Sequence, residues 1–366
     1  MPMTDTNTPP VAYRFDAADV PVLRRELADW YGGPQGVMYY RNAIELGRQE
    51  VRPPGPPDKV AALLAGAEAT RLREGDLWYV DEDLCALLNA AHASMPVFAP
   101  RPSDLPSKTG FAVFAEPIFM YPGEEAHDDE LADRLAPRQR SAEYDRMLAK
   151  LRAEQEAIVA VSWGPVTNPH WTAGGLWMSF YAASAVHFAD MFDDPAAARR
   201  ARGLLPRLIV DNEATMAWRP DGTDPQPYQL PALADSRGTL SWARLVFAAF
   251  QLAAQVNLAE REELPTPRPE RRRAQRAGLP ERDVRIVRLR RSLTAARDAE
   301  HDAAGGREWR HRWVVRGHWR NHWYPSLNDH RPLWIAPYLK GPADAPLLGG
   351  EKVTVVTADT RATGAG

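Results

Sequence analysis

Five of the nine histidines and five of the twelve tryptophans fall within residues 301–334, interleaved with arginine. In an extended chain, side chains alternate between two faces. Over residues 310–324 that alternation puts Arg310, Arg312, Val314, Arg316, His318, Arg320, His322 and Tyr324 on one face. The opposite face receives His311, Trp313, Val315, Gly317, Trp319, Asn321 and Trp323. One side is therefore cationic, and the other is mostly apolar and suited to a core.

Three chemistries suit such a surface. Metal binding fits worst. His318 and His322 would lie about 13 Å apart at about 3.3 Å per strand residue, too far to share an ion, and no acidic or cysteine ligand flanks them. Neither a metal nor a cofactor is expected. Metal-free phosphodiester cleavage needs a general base, a general acid and cations for the charge that develops on phosphorus. His318, Tyr324 and His330 are the candidate catalytic groups, with arginines beside them. Plain nucleic-acid binding needs only cations for the phosphates and aromatic rings for the bases. Its candidates are Arg312, Arg316, Arg320, His322, Arg331 and Lys340. Binding is the leading expectation, and a ribonuclease-type enzyme using His318 is the alternative. A module that docks an acidic protein partner is the third reading, and a face merely solvated by water is the plainest.

Charge distribution favours an anionic partner. The chain carries a net charge of −3, but residues 268–340 hold 18 Lys and Arg against 8 Asp and Glu, a net of +10. The remaining 293 residues must therefore carry −13. Of the 45 basic residues 40 are arginine, so arginine richness by itself carries no information and the clustering does. The tract Arg271-Arg272-Arg273 with Arg276 reads as a solvated basic linker. No run of about 18 apolar residues occurs, which argues against a membrane span. The start, MPMTDTNTPP, lacks the basic and apolar regions of a secretory signal. A single cysteine, Cys85, forms no internal disulfide, and a cytoplasmic location is expected.

The elements that must hold this face suggest an α+β fold. An N-terminal helical part would precede a C-terminal mixed, mainly antiparallel sheet packed on a long central helix. Helices are expected over 19–31, from an Asp58 cap to about 73, over 81–94 and over 140–155, with a break at Gly32-Gly33-Pro34-Gln35-Gly36. Strands are expected over 110–121, 157–166, 174–184 and 207–218, the second and third as an antiparallel pair. Trp242, Leu245, Val246, Ala249, Phe250, Ala253 and Val256 recur at helical spacing, so one central helix is expected over 239–263. The expected organisation is a helical region over 1–100, a core over 101–263, a basic linker with a short strand over 264–308, and a C-terminal β segment over 309–357.

Other candidates read as structural. No phosphate-binding loop, dinucleotide fingerprint or nucleophile elbow is present. Glu116 reads as an outward strand residue, and His170 and His187 as satisfied structural histidines. Asp211 and Glu213 share a strand face and could meet arginines.

Val315-Arg316-Gly317-His318-Trp319-Arg320, Trp323-Tyr324-Pro325, Trp334-Ile335-Ala336-Pro337 and Lys340-Gly341-Pro342 together resemble the tail of a group of uncharacterised actinobacterial and phage- or plasmid-borne proteins. Leu105-Pro106-Ser107-Lys108-Thr109-Gly110-Phe111 is similar to another segment of that group. The resemblance spans about 50 residues. It implies a mobile-element or defence setting and carries no activity.

Overall fold

In the computed structural model, residues 14–45, 52–119, 157–166, 174–184, 196, 205–218, 239–290 and 313–340 are described. They fall in two compact units: Met1–Ser292 with Trp319–Trp334, and Leu293–His318 with Ile335–Gly366.

The first unit is α+β, as the sequence implies. Its sheet joins β1 (Asp76–Val80), β2 (Gly110–Phe119), β3 (Ala157–Val166), β4 (Gly175–Ala183), β5 (Leu208–Ala217), β6 (Ala259–Leu264) and β7 (Val284–Leu289) in the order β5-β4-β3-β2-β1-β7-β6. Only β1 pairs in parallel, with β2 and β7; the other ladders are antiparallel. All of β4 and most of β3 are buried, because helices cover both sheet faces.

One face carries α1 (Val20–Tyr31), α2 (Pro34–Glu45) and α3 (Pro57–Glu74), packed through Leu23, Leu27, Tyr40, Leu64 and Leu72 onto Phe111, Val113 and Tyr181. The other carries α4 (Glu82–Ala91) and α5 (Thr239–Ala254), whose Trp242, Phe247 and Phe250 meet Phe114, Trp163 and Phe180. Trp163 packs edge-on to Phe250 at 4.9 Å and lies so close over Gly110, its cross-strand partner, that no β-carbon fits there.

The local expectations differ from this in instructive ways. The Gly-Gly-Pro-Gln-Gly break shrinks to two residues. Pro34 opens α2 at its first position, where a missing N–H costs nothing. α3 begins at Pro57, so Asp58 lies inside the first turn rather than at the cap. The central helix ends at Ala254, and Glu260-Arg261-Glu262-Glu263 belongs to β6 instead, an exposed edge strand whose charges deter further pairing. The stretch read as a basic linker contains a helix, α6 (Arg268–Arg276). The expected helix over 140–155 and the residues His170, His187, His301 and Arg310–Arg312 lie outside the described residues.

In the second unit, β8 (Trp313–Val315) pairs antiparallel with β11 (Tyr338–Lys340), and Tyr338 stands opposite Val315.

Candidate nucleic-acid interface

The single strand expected over 310–324 is interrupted. β8 ends at Val315, Arg316 and Gly317 adopt no regular structure, and β9 (His318–Tyr324) starts afresh. A four-residue turn, Pro325–Asn328, leads from β9 into β10 (Asp329–Ile335). Asn328 closes it at φ +46°, a left-handed conformation that asparagine tolerates. β9 and β10 form a two-stranded hairpin of their own.

The hairpin is fixed to the end of α4 and to the segment between α4 and β2. Trp319 is buried, donates its indole N–H to the Ala91 carbonyl at 2.8 Å, and packs on Trp334 with ring centroids 5.4 Å apart. Arg331 is 4% exposed. It donates to the Ala99 carbonyl at 2.6 Å, pairs with Asp104, and lies over the Phe98 ring at 5.0 Å. Arg101 reaches Asp329 at 2.7 Å. Arg331, expected among the phosphate contacts, is therefore committed to holding the hairpin: a guanidinium this enclosed needs Asp104 to offset its lost hydration.

The outer end, toward the turn, is held through Asp329 but leaves side chains of β9 open to solvent. Trp323 shares a face with Trp319 yet is 43% exposed, against 9% for Trp319. Its ring lies 4.9 Å from that of His330, which is also exposed. On the opposite face His322 meets Tyr324 edge-on at 4.8 Å, both half-buried. Arg320 and Asn321 are exposed, and among the described residues no carboxylate lies within ion-pair range of Arg320. The outer end thus offers an exposed tryptophan tilted against His330 on one face, and an aromatic pair with a cation on the other.

Of the remaining candidates, His318, Arg316 and Lys340 belong to the second unit. His318 is exposed, and its Nδ1 lies 3.0 Å from the Arg316 carbonyl, to which it donates. Arg316 is exposed, and Lys340 half-buried. Arg312 lies outside the described residues. His318, His322 and His330 therefore contact three different neighbours. Among the described residues no group of three or more His, Cys, Asp or Glu could hold a metal ion, and no helix is long and apolar enough to cross a membrane.

Sequence reasoning missed a second polar constellation beneath α2 and α3. Glu68, fully buried, accepts from Ser162 Oγ and from the Tyr181 hydroxyl, each at 2.8 Å, and pairs with Arg71. Arg71 lies over the Trp177 ring at 5.0 Å. Glu213 accepts from the Tyr40 hydroxyl at 2.6 Å, Ser179 Oγ at 3.2 Å and the Trp177 indole at 3.3 Å. Burial opposes the charge on Arg71, but adjacent Glu68 outweighs it and raises the guanidinium pKa. Burial, then the carboxylates, push Tyr40 and Tyr181 far above the usual phenol range. Ser162, Ser179 and Tyr181 are enclosed, and the network joins helices to sheet. The sequence signal for it was a glutamate within the buried stripe Leu64, Ala65, Ala69, Leu72 of α3.

No family model matches this chain, and no curated protein matches it. Among solved structures, one described as the crystal structure of AcrVA2 is similar at 12% identity and a TM-score of 0.35, covering 87% of this chain and 93% of that one.

Proposed function

We propose that the chain binds single-stranded nucleic acid at the outer end of the β9–β10 hairpin. The observation that carries this is Trp323, a large ring left 43% exposed on a strand whose other core-side tryptophan is buried, with the His330 ring tilted against it at 57°. An exposed ring on one face of β9, with exposed Arg320 on the other and no carboxylate within ion-pair range of it among the described residues, suits a strand whose bases are free to stack and whose phosphates need a cation. The resemblance of the tail to phage- and plasmid-borne proteins is the ground for reading this role in a mobile-element or defence setting.

The test is fluorescence anisotropy with a labelled oligouridine. Trp323→Ala should weaken binding by roughly tenfold, since one base stack is worth about 1–3 kcal/mol. Arg320→Ala should lower the salt slope by about one phosphate's worth. Wild-type affinity for the oligonucleotide in a folded Trp323→Ala variant would refute the proposal.

A further inference from the structure

We propose that α6 is a second, separate contact surface, which docks the phosphate backbone of a nucleic-acid duplex. The helix RPERRRAQR holds five arginines and one glutamate, a net of +4 in nine residues. Its one acid does not neutralise the outer surface. Glu270 is only 8% exposed, accepts from Arg25 Nε on α1 at 3.0 Å, and pairs with Arg273. Arg268, Arg271, Arg272 and Arg276 are exposed, and among the described residues no carboxylate lies within ion-pair range of any of them. Exposed Glu281 accepts from Gln275 of the helix, so it offsets part of that charge, while other nearby carboxylates are engaged elsewhere. Asp76 holds Arg282 and Arg285 at 3.0 and 2.7 Å, Glu262 holds Arg288 at 2.8 Å, and Asp283 accepts from the Thr266 amide at 2.9 Å.

The surface is also fixed in place. Buried Thr266 ties the helix entrance to Asp283, and the Arg25–Glu270 bridge ties its first turn to α1. At the exit Gly278, at φ +64°, lets the Leu279 amide return to the Ala274 carbonyl at 2.9 Å. Positive charge crowds behind the helix as well. Burial first, and Arg282 second, lower the Arg24 guanidinium pKa to about 10 against the pull of Glu270. An anion docked outside would relieve that repulsion.

The type of partner follows from which side chains are present. Arg268, Arg272 and Arg276 recur every four residues, about 6 Å of rise apart, and form a row along one side. Protein interfaces centre on buried apolar or aromatic anchors, but Pro265–Asp283 contains no aromatic residue and no histidine. Without rings, the helix has nothing to stack on bases, so it suits a duplex, whose bases face inward and whose phosphates face out. Arginine is suited to phosphate because its planar fork can donate two hydrogen bonds to one group.

The test uses the full chain and a labelled RNA duplex of about 20 base pairs, titrated between about 50 and 200 mM salt. Replacing Arg268, Arg271, Arg272 and Arg276 with Gln keeps good helix formers. It should weaken duplex binding by at least about tenfold and flatten the log–log salt slope by up to about 3–4, at about 0.9 per neutralised phosphate. A thermal melt checks folding. If the quadruple variant does not fold, Arg268→Gln with Arg276→Gln should give about half that change in slope. An unchanged slope in a folded variant overturns the proposal, as does a wild-type chain that binds polyglutamate but not the duplex. The hairpin reading fails separately, on the single-stranded probe and the Trp323→Ala variant.

Discussion

Trp319 and Trp323 project from the same face of β9, yet the first is 9% exposed and the second 43%. The hairpin passes from core to solvent within four residues, about 13 Å of strand. Trp319→Ala should cost about 3–5 kcal/mol, because it opens a cavity beside Trp334 and leaves the Ala91 carbonyl unmet. Trp323→Ala should cost well under about 1 kcal/mol. Urea denaturation of both variants checks the contrast; equal losses would contradict the two-ended hairpin.

Glu68 and Arg71 should behave as a coupled pair. Removing one charge strands the other in the interior, so Glu68→Gln and Arg71→Met should each cost about 3–5 kcal/mol. The double variant should cost clearly less than their sum. A double-mutant cycle in urea measures the coupling, and additive losses would count against a mutual pair. Tyr181→Phe, which removes one donor to Glu68, should cost about 1–2 kcal/mol.

How far these sites were legible follows from the range of the interactions behind them. The amphipathic stripe of α5 and the apolar runs of β2, β3, β4 and β5 are local signals, and they were readable. β1 was not: Asp-Leu-Trp-Tyr-Val is five residues long and gains its place only by pairing with β2 and β7, which are distant in sequence. Glu260–Leu264 carries charges that a helix would accept equally well, and only its ladder with β7 makes it a strand. Alternation placed Trp319 in the core correctly. It could not show that Trp323 stays 43% exposed, or that Asp104, 227 residues away, holds Arg331. The Glu68 network joins residues 40 to 213 of the chain, and no spacing rule brings them together.

Stability should depend on pH through His92. The ring is buried at the end of α4, and its Nδ1–H donates to the carbonyls of Leu88 at 3.2 Å and Asn89 at 3.1 Å. Burial, assisted by Arg244, lowers its pKa below the ordinary 6.5. The unfolded chain therefore takes up the proton first. The contribution of His92 is complete above 6.5 and is lost as pH falls through the folded value. The melting temperature should fall on acidification below neutrality, and by less in His92→Gln. Identical pH profiles for the two proteins would remove His92 from the account.

RNA bound by the chain should stay intact in the presence of a chelator. Metal-free cleavage needs a base and an acid at one phosphate. Here His318 donates to the Arg316 carbonyl, His322 packs on Tyr324, and His330 packs on Trp323. Each ring is engaged with a different neighbour. Gel analysis of labelled RNA incubated with wild type and with His318→Ala checks this. Both should leave the RNA at full length, and His318→Ala should bind within about twofold of wild type, as loss of one surface contact would allow. Cleavage by wild type that disappears in His318→Ala would replace the binding function with a catalytic one and make His318 its base.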